Sequence, residues 1–416
     1  MRKFAHFYRR SYRERLRIIR KFSRLTTDQV AELRDGFNPR LQTLIENYLT
    51  DYRLPEGVAV GLKINDQFHL VPMVTEEPSV IAAASNGAQM LSGGSGIKAK
   101  VLDRLLTGQI ILKIKSFERF HRWLMIHQKS LLKIADQAHP TIVGYGGGAR
   151  NFRLRHLFGE WCSLDLFADV SEAMGANVIN SMLEAVANRI KRHFGRQPLM
   201  SILSNYASHS LVKVKGFVGF DRLPVGKMPG KLVAKRIALA SKIAQIDPYR
   251  AATHNKGIMN GVDAVVIAMG NDWRAVESGV NVYAARRGRY RGLSQWRLAP
   301  HGLVGEMTLP LALGFVGGAT SSMRLPKVNQ QIAQVHSARD LMKLTAALGL
   351  AQNLAALRAI TTDGIQRGHM ALQMRSLAMS AGAQPREVAQ VVKQLRGNRH
   401  PSLKSAKLIL TRIRKH

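Results

Sequence analysis

The sequence predicts a mixed α/β (α+β) fold of more than one domain, and three observations carry that expectation. Its 416 residues, 46% of them hydrophobic, are enough to enclose a large core. Stretches with the two-residue alternation of strands occur at 58–64, 68–74, 109–115 and 164–170. Stretches with helical spacing of apolar residues occur at 12–22, 80–90, 117–137, 173–190 and 333–360.

Along the chain, Tyr12, Leu16, Ile19 and Phe22 fall on one face of a basic amphipathic helix. Thr26-Thr27-Asp28-Gln29 has the pattern of a capping box, and Asp35-Gly36 closes the helix it opens. Asn65-Asp66 turns one strand into the next. Pro78 suits the first position of a helix, which places Glu77 at a positive helix N-terminus. Ser92-Gly93-Gly94-Ser95-Gly96 breaks the chain at a candidate domain boundary, and a second falls near 205–210. Gly317-Gly318 marks a tight loop, and basic helices follow Gly364. No repeat of solenoid length is present.

Composition limits the function. Cys162 is the single cysteine, so an intramolecular disulfide and a cysteine-based metal site are excluded, and no metal is expected. No apolar run is long enough to span a bilayer, and the start lacks a secretory apolar core, so a cytoplasmic protein is expected. The formal net charge of +35 fits nucleic acid, an anionic membrane, a polyanionic small molecule or simply solvated basic faces. Aromatic residues are only 6%, so platforms for stacking bases are scarce and nucleic acid is the weaker reading.

The densest polar chemistry surrounds Lys256. It sits in the glycine-bracketed stretch 250–261, ahead of an apolar run at 264–269 that reads as a buried strand and breaks at Gly270-Asn271-Asp272. A desolvated lysine polarises a carbonyl, and a nearby aspartate would tune it. Asp272 also stands where it would cap the helix starting at Trp273. Gly144-Tyr145-Gly146-Gly147-Gly148-Ala149 has the spacing of a dinucleotide fingerprint, but 151–157 alternates like a strand, so no Rossmann domain is expected. Glu172-Ala173-Met174-Gly175-Ala176-Asn177 places a carboxylate and small residues at a strand-to-helix junction, where a flat ligand and a phosphate would fit. Ordinary helix packing explains the same spacing. His369 is a lone histidine beside a glycine, and most such residues are surface or core groups. Glu77, Lys256, Asp272 and His369 together suggest acid/base chemistry on a carbonyl.

These strings, taken in order, resemble the soluble bacterial (class II) type of hydroxymethylglutaryl-CoA reductase over nearly the whole chain. The matching pieces are Glu76-Glu77-Pro78-Ser79, Ala173 to Asn177, Thr253 to Gly261, Gly270 to Glu277 and Gly364 to Met370. The resemblance implies Glu77, Lys256, Asp272 and His369 as catalytic residues. It implies Ser79, Asn205, Arg250, Asn260 and Gln352 as substrate contacts. The string from Glu172 through Ala173, Met174, Gly175, Ala176 and Asn177 would bind the cofactor, with His139 ahead of the glycine loop. The implied reaction reduces a coenzyme A thioester to mevalonate by two hydride transfers.

The implied architecture is a large discontinuous substrate domain (1–99 and 206–363), a small inserted non-Rossmann dinucleotide-binding domain (100–205) and a C-terminal helical flap (364–416). The implied assembly is a homodimer, or a higher oligomer built on it, with active sites at the subunit interface. The chain departs from the family pattern in four places. Glu172 replaces the usual aspartate, Tyr48-Leu49-Thr50 replaces Val-Ile-Gly, the loop at 93–96 is short, and His139 stands where NAD-preferring relatives carry an aspartate. A histidine would not repel a 2′-phosphate, and with Arg150 and Arg153 nearby it points to NADPH over NADH.

Overall fold

The computed structural model describes residues 4–94, 96–318, 323–362, 364, 374–398 and 401–414. Met1–Pro55 and Glu56–His416 form two compact units.

The first unit is helical. Helix α1 (Tyr12–Ser23) opens on a Ser11/Glu14 capping box, and α2 (Thr27–Asp35) on the expected Thr26/Gln29 box. Helix α3 (Pro39–Gln42) follows. Tyr48 explains one departure from the family pattern. It is buried, donates to Asp51 Oδ1 at 2.7 Å and accepts from Asn38 N at 2.9 Å, tying the end of the unit to its middle.

The second unit begins with the hairpin of β1 (Glu56–Ile64) and β2 (Gln67–Val74). Asn65 and Asp66, at φ 46° and 74°, supply the left-handed turn that a two-residue hairpin needs. Helix α4 (Pro78–Leu91) packs on this hairpin. After β3 (Lys98–Val101), the chain runs through β4 (Leu106–Lys113), α5 (Phe117–Ala138), the short α6 (Pro140–Gly144), β5 (Gly148–Phe158), β6 (Trp161–Asp169), α7 (Ala176–Phe194) and β7 (Met200–Ser204). These four later strands form an antiparallel sheet in the order β5-β6-β4-β7. Their core, from Leu106 to Ile190, is separate from the main one. The paths into and out of this segment lie side by side: Leu102 N donates to Leu211 O and Leu105 N to His209 O.

The chain then returns through β8 (Leu211–Gly219), α8 (Gly230–Ile246), α9 (Pro248–Ala268), α10 (Trp273–Ala285), β9 (Ser294–Ala299), β10 (Gly302–Pro310), α11 (Leu325–Ala333) and α12 (Ala338–Thr361). The second four-stranded sheet has the order β3-β8-β10-β9. Along β8, Val212, Val214 and Val218 are buried, while Lys213, Lys215 and Phe217 are exposed, so one face meets the core and the other meets water. Beyond residue 374, α13 (Pro385–Leu395) and α14 (Leu403–Ile413) share a small core with Met374 and Ala378. Among the described residues, no helix is long and apolar enough to cross a membrane.

Two sequence expectations change. Residues 264–269 are not a strand: 264–268 complete the 21-residue helix α9, whose apolar face is buried through Val262, Val265 and Val266. β-branched residues read as strand, but packing on both sides of a buried helix overrides propensity. Helix α7 starts at Ala176, not 173, because Ser171 (φ 50°) and Gly175 (φ 93°) hold the preceding string in a loop. The Gly144–Ala149 string is, as expected, a turn into strand β5.

Helices α4 and α12 approach so closely at Gly87 that a Cβ there would lie 1.9 Å from Ala351 O. Gly87→Ala should therefore lower stability by about 1–3 kcal/mol. An unchanged urea midpoint would show that the two helices can separate freely.

Candidate active site

Glu77 is the N-cap residue of α4, yet its side chain makes no capping hydrogen bond. Pro78 at the first helical position removes one N–H that would otherwise compete for it. The carboxylate instead accepts from Ser79 Oγ at 2.7 Å and from Lys256 Nζ at 3.4 Å. Lys256 comes from α9, whose N-terminus is capped by Asp247 through Tyr249 N and Arg250 N. Arg250, Thr253, Lys256 and Asn260 recur at helical spacing on one side of α9 and line one cavity of about 690 Å³ with Glu77 and Ser79. Helix α12 contributes Gln352 and the small Ala355, Ala356 and Ala359 to the same wall.

The cavity has unmet polar capacity. Arg250 Nε and Gln352 Oε1 are buried without a hydrogen-bond partner among the described residues. Burial holds the Arg250 guanidinium below its ordinary value, so a carboxylate ligand would satisfy both its charge and its donors. The Lys256 side chain is 65% exposed and faces open space, where a ligand carbonyl could reach it. Anion capture by Arg250 and carbonyl polarisation by Lys256 are thus available in one chamber.

A buried network fixes α9 behind this face. Asn255 donates to Arg291 O and accepts from Leu293 N, each at 2.9 Å. His254 Nε2 lies 2.7 Å from Ser294 Oγ, which donates to Asn353 Oδ1 at 2.7 Å. Trp296 Nε1 donates to the same Asn353 oxygen at 2.7 Å. Burial, reinforced by Arg250, pushes His254 down to about 3, so it is a neutral framework group at physiological pH.

The string 172–177 forms a second locus. Gly175 at φ 93° precedes α7, and a Cβ there would strike Val170. No side chain caps α7, which leaves its first turn shaped for an anion. The backbone approaches tightly: a Cβ on Gly314 would lie 2.3 Å from Met174 N. Asn205, expected among the substrate contacts, does not line the Lys256 cavity; it lines a small cavity with Met174 and Ala275 of α10. Three residues missed by sequence reasoning hold this locus. Arg104, only 6% exposed, donates to the carbonyls of Ser171, Ala173 and Leu313. Asn271 clamps Gly314 through both its N–H (2.7 Å) and its carbonyl (2.9 Å). Asp136 accepts from Ala149 N at 2.7 Å and pins the glycine loop. A polar residue beside a glycine was the visible signal for Asn271; nothing local marked Arg104.

Several expected roles need correction. Asp272 does not orient Lys256 within one chain. It caps α10 through Arg274 N (3.0 Å) and Ala275 N (3.2 Å) and pairs with Arg274 Nε at 3.2 Å. Burial raises its pKa, but these donors outweigh burial and leave it lowered. From Lys256 to the end of α9 is about 18 Å of helix rise, which puts Asp272 beyond reach. Glu172 Oε2 accepts from Ala338 N at 2.5 Å, at the start of α12. Arg150 already pairs with Asp169 at 3.6 Å, and Arg153 with the buried Asp165 at 3.0 Å. His139 occupies the N-cap position of α6, its Nδ1 buried without a partner among the described residues. His369 lies outside the described residues.

Comparison with known proteins agrees with this geometry. The family model for hydroxymethylglutaryl-coenzyme A reductase matches residues 11–374. The curated 3-hydroxy-3-methylglutaryl-coenzyme A reductase of Archaeoglobus fulgidus is 40% identical over 415 residues, covering 98% of this chain and 94% of that protein. A class II enzyme of that name from Streptococcus pneumoniae, solved with NADPH bound in open conformations, is 41% identical with a TM-score of 0.76 and covers 97% of this chain and 100% of that one. A second Streptococcus pneumoniae structure is 39% identical, again with a TM-score of 0.76, and covers 99% of each chain. Fold and paired loci thus define an oxidoreductase. The chain belongs to the hydroxymethylglutaryl-coenzyme A reductase family.

His254 generates a pH prediction. Its folded value of about 3 lies below the ordinary 6.5, so its contribution is full above pH 6.5 and is lost as pH falls towards 3. Between pH 7.5 and 5.0 the wild type should lose about 2 kcal/mol more stability than His254→Gln in urea unfolding. Equal losses would place the titrating group elsewhere.

Proposed function

We propose that this chain reduces hydroxymethylglutaryl-CoA to mevalonate and CoA, using NADPH in preference to NADH, in a cytoplasmic homodimer whose active sites span the subunit interface. The observation that carries the reading is the Lys256–Glu77 pair, at 3.4 Å, in a cavity lined also by Arg250 and Gln352, whose buried Nε and Oε1 have no partner among the described residues.

Arg250, Ser79 and Asn260 bind and orient the substrate's free carboxylate, which sets the thioester carbonyl against Lys256. A bound nicotinamide supplies a hydride at each of the two reductions. Each reduction develops negative charge on the carbonyl oxygen, and the Lys256 ammonium stabilises it. The first oxyanion collapses to the aldehyde as the carbon–sulfur bond breaks, and the alkoxide left by the second hydride takes its proton from the hydrogen-bonded Lys256–Glu77 pair. Protonation of the departing thiolate falls to His369 on the strength of the family resemblance. The cofactor fits residues 172–177. Gly175 allows close approach, the uncapped first turn of α7 suits the pyrophosphate, and Asn205 lies beside Met174. The small segment 100–205 with its own core would be the cofactor domain, and the segment from 364 the flap. His139 in place of an acidic residue, together with the NADPH-bound relative, supports the NADPH preference.

Distance supports the dimer. If Asp272 acts on the substrate that Lys256 polarises, it must come from a second copy of the chain. The locus of 172–177 and Asn205 adjoins α10, the helix that Asp272 caps, so that copy would bring cofactor and aspartate together.

Purified protein should oxidise NADPH faster than NADH, only when hydroxymethylglutaryl-CoA is present, and consume two cofactors per mevalonate. Lys256→Ala should cost about 10²–10³ in kcat with an intact fold. Turnover at the wild-type rate would remove Lys256 from the mechanism. Mixing inactive Lys256→Ala and Asp272→Ala chains should restore about a quarter of wild-type activity, because half of randomly formed dimers would carry one intact site of two. No recovery after verified subunit exchange would confine each site to one chain.

A further inference from the structure

The basic charge is not spread evenly, and part of it gathers at a cavity that shares no lining residue with the Lys256 chamber. On the solvent face of the β3-β8-β10-β9 sheet, Lys98 stands directly opposite Lys215, and Lys100 opposite Lys213. Like charges paired across strands destabilise a sheet. Glu306 of β10 is engaged by both Lys213 (3.5 Å) and Lys215 (3.3 Å), so one carboxylate serves two ammonium groups. Beside Lys213 and Glu306 lies a cavity of about 260 Å³, whose other charged lining groups are Arg286, Arg287 and Arg291. Four cations therefore face one carboxylate that is already matched.

The arginines are not equivalent. Arg286 is fixed, donating to Tyr283 O at 2.6 Å and lying over the Tyr283 ring at 3.6 Å. The Arg287 and Arg291 side chains have no acceptor among the described residues, and Arg291 Nε is buried without a partner. A buried guanidinium donor without an acceptor is costly unless a ligand supplies one. Phosphate oxygens match its fork geometry, and a cleft of one charge sign focuses potential on an entering anion.

We propose that this cavity is a binding site for a compact phosphate chain, a di- or triphosphate, separate from the active site. Size decides against bulkier ligands, because the cavity is smaller than the about 300–1,000 Å³ typical of drug-sized sites. The sparse aromatics decide against nucleic acid. The phosphate chain has two possible sources, inorganic polyphosphate or a nucleotide, and the chemistry recognised is the same.

The test is calorimetric titration of the full-length protein with inorganic triphosphate at low salt, with ADP as a second probe. Triphosphate should bind once per chain, at least about tenfold more weakly to Arg287→Gln/Arg291→Gln, and unchanged to Lys256→Ala. Lys213→Gln, at an exposed strand position, repeats the test if the double variant fails to fold. Only the binding lost in these variants counts. Equal loss for both probes assigns recognition to the phosphate chain alone, and a tenfold tighter ADP component assigns a nucleotide. Absence of triphosphate binding to the wild type, binding indifferent to all three cavity residues, or binding of a single-stranded oligonucleotide with no response to triphosphate would each overturn the proposal.

Discussion

The length of helix α9 governs the rest. At 21 residues it spans about 30 Å, and it is buried along one side from Ala251 to Ala268. Its first half carries the cation, the arginine and the amide that line the substrate chamber. Its end delivers Asn271 and Asp272 to the locus where 172–177 and Asn205 meet. A rod of that length cannot bring its two ends to one ligand. On the reading proposed here the chain would hold two half-sites with complementary chemistry, one for a carboxylate and a polarised carbonyl, the other for a phosphate-bearing cofactor. A two-fold pairing is the simplest symmetry that unites them.

For the rod to be useful it has to be held in register. The helix is fixed from behind by Asn255, which satisfies both a carbonyl and an N–H of the loop leading into β9. One turn of side chains sharing Ser294, Asn353 and Trp296 does the same for α12. Neutral His254 belongs to this framework, because a charged imidazole there would be buried beside Arg250. The front of the helix is left under-satisfied as a consequence: Arg250 Nε and Gln352 Oε1 are buried without a hydrogen-bond partner among the described residues. Gly261 matters for the same reason, since a Cβ there would lie 3.0 Å from the Gln352 side chain and crowd the amide.

What the sequence made legible was local chemistry. The capping box at Thr26, the Asn65-Asp66 turn and the Pro78 helix start each depend on adjacent residues, and each forms as read. The chamber residues Glu77, Ser79, Arg250, Lys256, Asn260 and Gln352 were all named in advance, yet the strings carried their identity through resemblance, not through spacing. The strand expected at 264–269 failed because a helix packed on several sides loses the polar face that reveals its period. Arg104 was invisible because three carbonyl partners from distant segments give a buried arginine its reason, and no window of sequence contains them. The separation of Asp272 from Lys256 depended on one element boundary: a strand after Gly261 would have allowed the chain to turn back, whereas a continuous helix does not.

Glu172 shows how a substitution that looks functional can be structural. At this position a carboxylate reads as a cofactor contact, and its oxygen also accepts from Ala338 N at the first turn of α12. Its backbone carbonyl accepts from Phe315 N at 2.8 Å and Val316 N at 3.2 Å. A carboxylate at a helix N-terminus is stabilised by the helix dipole and by the orphan N–H it satisfies. The extra methylene of glutamate extends the side chain's reach, so the longer acid can serve as a cap where a shorter one would stay nearer the loop. Helix α12 also carries Gln352, so the same residue couples the cofactor string to the wall of the substrate chamber. That coupling runs through packed backbone, with Glu172 joined to the first turn of α12.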